Sequence, residues 1–192
     1  LPEVETTLRG IAPHILKQTI SQIIIRQPKL RWLIPKNIKN NVGETILEIN
    51  RRGKYILITT SSDTLIIHLG MSGRMQILTK EKTPEKHDHF DIIFSNKKIL
   101  RYTDPRRFGA LLTSAANVTH KLLKDLGVEP LEKDFNATYL AEQLKNKSTN
   151  IKTVIMKSKS VVGVGKIYAC EALHIAKINP MLSAKKLSLL QI

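Results

Sequence analysis

The sequence predicts an α+β protein: a leading helix and an antiparallel β-sandwich, followed by a basic helical domain. Three observations carry that expectation. Apolar residues recur at helical spacing at the start of the chain. Many short β-branched runs separated by turn residues then follow as far as Thr113. Beyond residue 115 the pattern changes to helical segments rich in lysine. The domains are accordingly expected at 1–115 and 116–192.

The elements follow in order. Val4, Leu8, Ile11 and Ile15 form one apolar helical face, with Pro2 suited to a first helical turn and Glu3 and Glu5 to the positive end of the helix dipole. A helix is predicted over about residues 3–16. Strands are predicted at Ile20–Arg26, Thr45–Asn50, Tyr55–Thr60, Thr64–Leu69, Met75–Leu78, Phe90–Phe94, Ile99–Tyr102 and Ala110–Thr113. Ser61-Ser62-Asp63 and Asn96-Lys97-Lys98 read as turns. Regularly spaced short strands argue for an antiparallel sandwich. Val118–Leu126 reads as a helix ending at Gly127, and Asn136 as the cap of a helix through Leu144, with Tyr139, Leu140 and Leu144 on one face. Ile151–Met156 is a short helix. Gly163-Val164-Gly165 is a tight turn into a helix over Lys166–Ala176, and Ser183 is expected to cap a last helix running to the end.

The charge balance points to a partner. Lys and Arg number 31 against 16 Asp and Glu, a net charge of +15, and the pI is near 10.0. Such a field attracts polyanions. From residue 145 onward there are nine lysines and one acid, Glu171. A membrane surface is also polyanionic, but no stretch approaches the ~18 apolar residues of a spanning helix, and no basic amphipathic anchor is present. The one cysteine, Cys170, can close no disulfide within the chain and build no cysteine-rich zinc site. With no signal-like N-terminus, a reducing, cytoplasmic compartment is expected.

The most informative segment is Tyr102-Thr103-Asp104-Pro105-Arg106-Arg107-Phe108-Gly109. An Asp-Pro turn presents two guanidinium groups beside a phenyl ring. Guanidinium groups bind phosphate and base edges, and an aromatic ring can wedge between stacked bases. Upstream, His68-Leu69-Gly70-Met71-Ser72-Gly73 supplies a second candidate wedge in Met71. A core position is the commoner fate of methionine, but glycines on both sides favour a loop. A solvated loop with a chance basic pair is the competing reading of the Arg106–Phe108 segment. Val161-Val162-Gly163-Val164-Gly165-Lys166-Ile167-Tyr168 offers a glycine turn exposing amide N–H groups at a helix start, a site suited to a phosphate. Gly53 permits a bulge or a close backbone approach. His87 and His89 supply at most half of a metal site, so a phosphate contact or a solvated loop is expected for them.

In combination these segments resemble the formamidopyrimidine-DNA glycosylase family. Leu1-Pro2-Glu3-Val4-Glu5-Thr6-Thr7, Arg51-Arg52-Gly53-Lys54-Tyr55, His68–Gly73, Lys86-His87-Asp88-His89, Asp104–Gly109 and Val161–Ala169 occur in family order over essentially the whole chain. The resemblance implies an N-terminal β-sandwich flanked by helices and then a helix-two-turns-helix domain, truncated here. It implies base-excision repair: extrusion of an oxidised purine from double-stranded DNA, cleavage of the glycosidic bond, and nicking of abasic sites by β,δ-elimination, by a monomer. Lys54 matches the lysine that assists glycosylase and elimination chemistry, although the residues alone read it as a strand-edge surface lysine. Met71, Arg106 and Phe108 match the side chains that fill the gap left by the flipped base. His87, Arg106 and Lys147 match DNA-contacting positions, Lys152 a lysine near the lesion, and Lys166 and Tyr168 lie in the phosphate-binding turn.

Three departures qualify that resemblance. The family's chain begins with a Pro-Glu pair two residues ahead of Leu1, and that proline's amine is the nucleophile. Pro2 matches a second Pro-Glu pair and has no free amine, so this chain is expected to be inactive by itself, since catalytic geometry tolerates displacements of only about 1 Å. The family's C-terminal zinc finger lies beyond Ile192, so no cofactor is expected within this chain and one zinc ion in the full-length protein. Lys166 stands where the family usually carries asparagine, keeping a charge for phosphate but losing the amide's paired donor and acceptor. The alternatives are an endonuclease VIII-like enzyme for oxidised pyrimidines, a non-catalytic protein that binds abasic or distorted DNA, and a degenerate fragment that does not fold.

Overall fold

The computed structural model describes residues 1–192 throughout. The chain divides into two compact units, Pro2–His120 and Lys121–Ile192, the latter joined by Leu1. No helix is long and apolar enough to cross a membrane.

The first unit opens with α1, Pro2–Ile15, which buries Val4, Ile11 and Ile15. Lys17, at φ 62°, turns the chain away and donates its N–H to Ile46 O. Eight strands follow: β1 Ile20–Ile25, β2 Glu48–Arg52, β3 Tyr55–Thr59, β4 Asp63–His68, β5 Arg74–Leu78, β6 Asp88–Phe94, β7 Ile99–Thr103 and β8 Ala110–Ala115. They form two antiparallel four-stranded sheets in the orders β1-β6-β7-β5 and β2-β3-β4-β8. Ile56, Ile58, Leu65, Ile67 and Leu111 from one sheet join Ile20, Ile23, Phe90, Ile92, Phe94, Leu100 and Tyr102 from the other, with the buried face of α1, in a single core. Fully burying an aliphatic side chain contributes about 1.5–3 kcal/mol, so these inward rows fix which face of each strand points in.

Two details depart from the sequence expectation here. β2 begins at Glu48 and not at Thr45, because Thr45 is taken in an isolated bridge to Thr19. A six-residue 3-10 helix, Lys36–Asn41, lies between β1 and β2, where no element was expected. Asn41 explains its place: fully buried, it donates to Ile38 O and Asp63 Oδ2 and accepts from Thr60.

A buried ion cluster spans β1, β6 and β7. Arg101 makes two bonds of 2.9 Å to Asp91 and a longer one of 3.4 Å to Asp88, and Arg26 also pairs with Asp91. Burial would raise both carboxyls, but the hydrogen bonds and opposite charges around them win and hold both below the ordinary carboxylate range.

The second unit contains α2 Lys121–Lys124, α3 Ala137–Leu144, α4 Ile151–Ile155 and α5 Lys166–Ile175. α3, α4 and α5 supply Leu144, Ile151, Val154 and Leu173 to a core completed by Ile178 and Ala184, whereas α2 buries no residue. Asn136 caps α3 by accepting from Tyr139 N–H, and Asn150 caps α4 by accepting from Thr153 N–H. α2 is a single turn, shorter than the helix expected over Val118–Leu126, because Val118 closes a turn on Ala115 and Gly127 gives its N–H to Ser158 O. The expected Ser183-capped helix does not form. Ser183 pairs with Asn150 and its hydroxyl donates to Ser148 O, so the segment becomes two 3-10 turns, Ala184–Lys186 and Leu189–Gln191.

Candidate nucleic-acid interface

Strand register gathers the first unit's candidate residues at one end of the sandwich. β4 and β8 lie in one sheet, β5 and β7 in the other. The pair His68↔Ala110 ends the first ladder and the pair Arg74↔Thr103 ends the second. The chain therefore crosses between sheets twice at the same end, through residues 69–73 and again through 104–109. The Gly53–Lys54 hairpin turn joins Arg52 and Tyr55, and Tyr55 pairs with His68, so it also lies at this end. The segment after β1 and the entry to β6 arrive there too, as the pairs Ile25↔Phe90 and Asp88↔Thr103 require.

The two crossovers bring Met71, Arg106 and Phe108 together. Arg106 Nη2 lies 3.4 Å from Met71 Sδ, and its guanidinium carbon sits 4.8 Å from the centre of the Phe108 ring. Met71 is 73% exposed and Phe108 46%, which settles the loop reading of Met71 against a core position. A cleft of about 760 Å³ adjoins them, lined by Lys29, Leu30, Arg31, Arg106, Arg107 and Phe108. It contains four cationic side chains and no carboxylate. Arg31 N–H donates to Gly109 O at 3.0 Å, tying the segment after β1 to the Phe108 loop. Arg107 holds φ 55°, a left-handed conformation uncommon outside glycine.

Lys54 lies in the hairpin turn, not in a strand. Gly53, at φ 56°, makes that turn possible. Arg51 braces it, donating to Gly53 O at 3.0 Å and to Glu5 of α1 at 2.8 Å. Glu3 is held below the ordinary carboxylate range, first by its own backbone N–H and in smaller part by the Lys54 charge. His68 faces the same group. Its imidazole is pushed down to about 4, first by burial and then by the Arg31 and Lys54 charges. It is therefore neutral near pH 7, and Nδ1 accepts the Gly70 N–H at 3.0 Å, leaving the proton on Nε2. The sequence pattern included His68 in the Met71 segment without a role and did not single out Lys29 or Arg31. The signal was present for His68, since it directly precedes the Met71 turn, but its proximity to Lys54 depends on the β3–β4 register.

His87 precedes β6 at this end, and its carbonyl accepts the Asp104 N–H at 3.0 Å. His89 is not in a solvated loop: it is buried in β6 and its Nε2 donates to Asp104 O at 2.6 Å. In the second unit, exposed Lys147 lies in the α3–α4 connection and half-buried Lys152 in the first turn of α4. Lys166 and Tyr168 share the exposed first turn of α5. Gly165 is its N-cap without a side-chain bond, Gly163 holds φ 80°, and the turn carries no acidic residue.

Family models match two consecutive parts of the chain: the formamidopyrimidine-DNA glycosylase N-terminal domain over residues 1–111 and the formamidopyrimidine-DNA glycosylase H2TH domain over residues 126–192. The chain belongs to the formamidopyrimidine-DNA glycosylase family. It is 50% identical over 192 residues to the enzyme of Aliivibrio fischeri, covering 100% of this chain and 71% of that protein. It is 51% identical over 190 residues to that of Cellvibrio japonicus, covering 98% and 70%. Among solved structures, the Lactococcus lactis enzyme bound non-covalently to DNA containing an abasic site matches with a TM-score of 0.89 at 32% identity, over 100% of this chain and 75% of that one. A mutant of the same enzyme in complex with DNA containing a formamidopyrimidine lesion matches at 0.90 and 33%, over 100% and 72%. The family is one of base-excision repair enzymes, DNA glycosylases that are also abasic-site lyases.

Full-length members of the family bind zinc. The residues of this chain do not fit that ion: no three His, Cys, Asp or Glu side chains converge, and the one cysteine, Cys170, lies exposed on α5.

Proposed function

We propose that this chain recognises oxidised purines and abasic sites in duplex DNA, using one end of its β-sandwich to replace an extruded nucleotide. The observation that carries this reading is the convergence of Met71, Arg106 and Phe108, all from crossovers at the Lys54 end and with Met71 and Phe108 exposed. Extruding a nucleotide costs a few kcal/mol in lost stacking and pairing. Met71 and Phe108 offer apolar surface to fill the vacated stack. Arg106, steadied between sulfur and ring, offers planar donors to the base left without a partner. The ring contact contributes about 0.5–1 kcal/mol at an exposed site, enough to bias the guanidinium's orientation without fixing it.

Backbone phosphates suit the remaining cations. Lys29, Arg31 and Arg107 line the cleft beside the wedge, and His87 lies at the same end. In the second unit, a lysine at the first position of a helix opposes the helix dipole. Lys166 makes physical sense at the start of α5 if an anion occupies the open N–H groups there, with Tyr168, Lys147 and Lys152 as further contacts. Lys54 is the candidate for assisting bond cleavage at the extruded sugar. The Lactococcus enzyme's complexes with abasic and formamidopyrimidine DNA favour the purine reading. A zinc ion, a monomeric state and a cytoplasmic location are proposed for the full-length protein on the family resemblance and composition.

Binding is tested by fluorescence anisotropy on duplexes with and without a tetrahydrofuran abasic site, from 50 to 200 mM salt. The expected result is a preference for the abasic duplex and an affinity that falls by orders of magnitude over that salt range, roughly as 6–10 phosphate contacts predict. Equal affinity for both duplexes, or a flat salt response, refutes the reading. For catalysis, the chain preceded by Pro-Glu is assayed on 8-oxoguanine opposite cytosine and on thymine glycol. Faster excision of the pyrimidine lesion would assign the chain to the endonuclease VIII type instead.

A further inference from the structure

We infer that Asp104 is a positioning residue for nucleotide extrusion: its single carboxylate sets the spacing between the Met71 crossover and the Arg106–Phe108 crossover. This rests on the proposed wedge reading of those three side chains.

The carboxylate is fully buried and carries four donors. Oδ1 accepts from Ser72 Oγ at 2.6 Å and from Arg106 N–H at 3.2 Å. Oδ2 accepts from Gly109 N–H at 2.9 Å and from Tyr102 Oη at 3.0 Å. Ser72 follows Met71, Arg106 is itself a wedge residue, and Gly109 follows Phe108. Every wedge position therefore lies at or next to a residue bonded to one side chain. The bonds to Arg106 and Gly109 shape the loop that contains Asp104, as a buried aspartate in a turn commonly does. The Ser72 bond does more, because it reaches across 32 residues to the other crossover. The main chain of Asp104 is fixed in turn by His87 O, just before β6, and by the His89 ring within it.

Close backbone packing makes the spacing sensitive to this clasp. A Cβ added at Gly70 would lie 2.6 Å from Gly109 N, and one at Gly109 would lie 2.6 Å from His68 O and closer still to Tyr102 Oη. The crossovers meet main chain to main chain at Gly70 and Gly109, and the Tyr102 hydroxyl, 3.1 Å from Leu69 O and 3.0 Å from Asp104 Oδ2, fills the space beside them, so little room is left to absorb a shift.

An amide cannot replace the carboxylate. Each oxygen serves one hydroxyl, which can rotate to accept, and one main-chain N–H, which cannot. Whichever way an asparagine is turned, its NH2 group faces either the part-buried Arg106 N–H or the buried Gly109 N–H, and that main-chain donor loses its acceptor.

The test uses the full chain and its Asp104→Asn, Ser72→Ala and Ser72→Thr variants. Anisotropy gives affinity for intact and tetrahydrofuran duplexes, and 2-aminopurine opposite the gap reports unstacking of the orphaned base. The expected result is that Asp104→Asn lowers the preference for the gapped duplex roughly tenfold and Ser72→Ala roughly threefold, with affinity for intact duplex kept within about twofold. The 2-aminopurine signal should fall with the preference, and Ser72→Thr, which keeps the hydroxyl, should restore both. If the parent chain shows no preference for the gap, the proposed function fails and this inference with it. If the parent shows it and both Asp104→Asn and Ser72→Ala keep it undiminished, the inference alone is overturned. Equal losses on both duplexes in step with a lowered melting temperature, for Ser72→Ala as well as Asp104→Asn, would reduce Asp104 to a structural residue and also overturn it.

Discussion

Acidification should expose the environment of His68. Its imidazole is driven from 6.5 to about 4 by burial and by the Arg31 and Lys54 charges. The folded state therefore resists a proton that the unfolded chain accepts. The stability tied to neutral His68 is fully present above pH 6.5 and is lost as the pH falls toward 4, because the unfolded state binds more protons across that window. Taking the two values as the unfolded and folded pKa, the loss reaches about 2 kcal/mol by pH 5. Protonation also converts Nδ1 from acceptor to donor, which breaks its bond from Gly70 N–H and loosens the turn carrying Met71. The comparison protein is His68→Asn, whose oxygen can take the place of Nδ1 but cannot titrate. It loses the ring contact with Tyr55, at 5.0 Å between centres, so it starts less stable, and only its slope matters. Urea unfolding of both proteins between pH 7 and pH 4.5 should show the parent losing about 2 kcal/mol more than the variant. The carboxylates held low by their partners, including Asp88, Asp91 and Asp104, are common to both and titrate at more acid pH. Parallel stability curves between pH 6.5 and 5 would refute the assignment of a buried, neutral His68.

Met71→Ala and Phe108→Ala should each weaken binding to the abasic duplex roughly tenfold while changing unfolding free energy by less than about 1 kcal/mol, since both side chains are exposed; an equal loss of stability would place them in the core. Asp91→Asn should cost about 3–5 kcal/mol in urea unfolding, because it strips the principal partner from the buried Arg101 guanidinium. Gly10→Ala in α1, where an added Cβ meets nothing within 4 Å, should raise stability by about 0.5–1 kcal/mol. Gly109→Ala should do the reverse and lose gap preference as well, as read by thermal melts and anisotropy on the same samples.

Much of the fold was legible in local pattern. The α1 face, the runs that became β1 and β3 to β8, and the Asn136 cap each rest on residues within a few positions of one another. Where local pattern failed, a distant partner decided. Thr45 went to Thr19, Ser183 to the loop before α4, and Gly127 to Ser158. Lys54 was read as a strand-edge lysine, with Gly53 allowing a bulge or a close backbone approach; Gly53 instead adopts φ 56° and makes a hairpin turn that holds Lys54. The wedge residues were visible as residue types in suggestive loops, and the family resemblance tied them together. The Arg31 contribution to the cleft and the His68 environment were not visible, since both arise from pairings between elements that sequence patterns do not specify.

The convergence of the wedge follows from topology more than from the loops themselves. Two crossovers between the same pair of sheets, each bounded by paired strands, cannot lie far apart. His68↔Ala110 and Arg74↔Thr103 hold their four ends in register. Side chains alternate along a strand, so a one-residue slip in either ladder would turn the core residues of β4 or β7 outward. Burial of Leu65, Ile67, Leu100 and Tyr102 opposes that slip. The hydrophobic core thus supplies the coarse alignment of Met71 with Arg106 and Phe108, and Asp104 supplies the fine one. Exposed side chains at the tips of short loops would ordinarily sample many positions. Here they are held at their bases by two ladders and a four-donor carboxylate, which suits groups that must enter a gap in stacked bases without first being ordered by it.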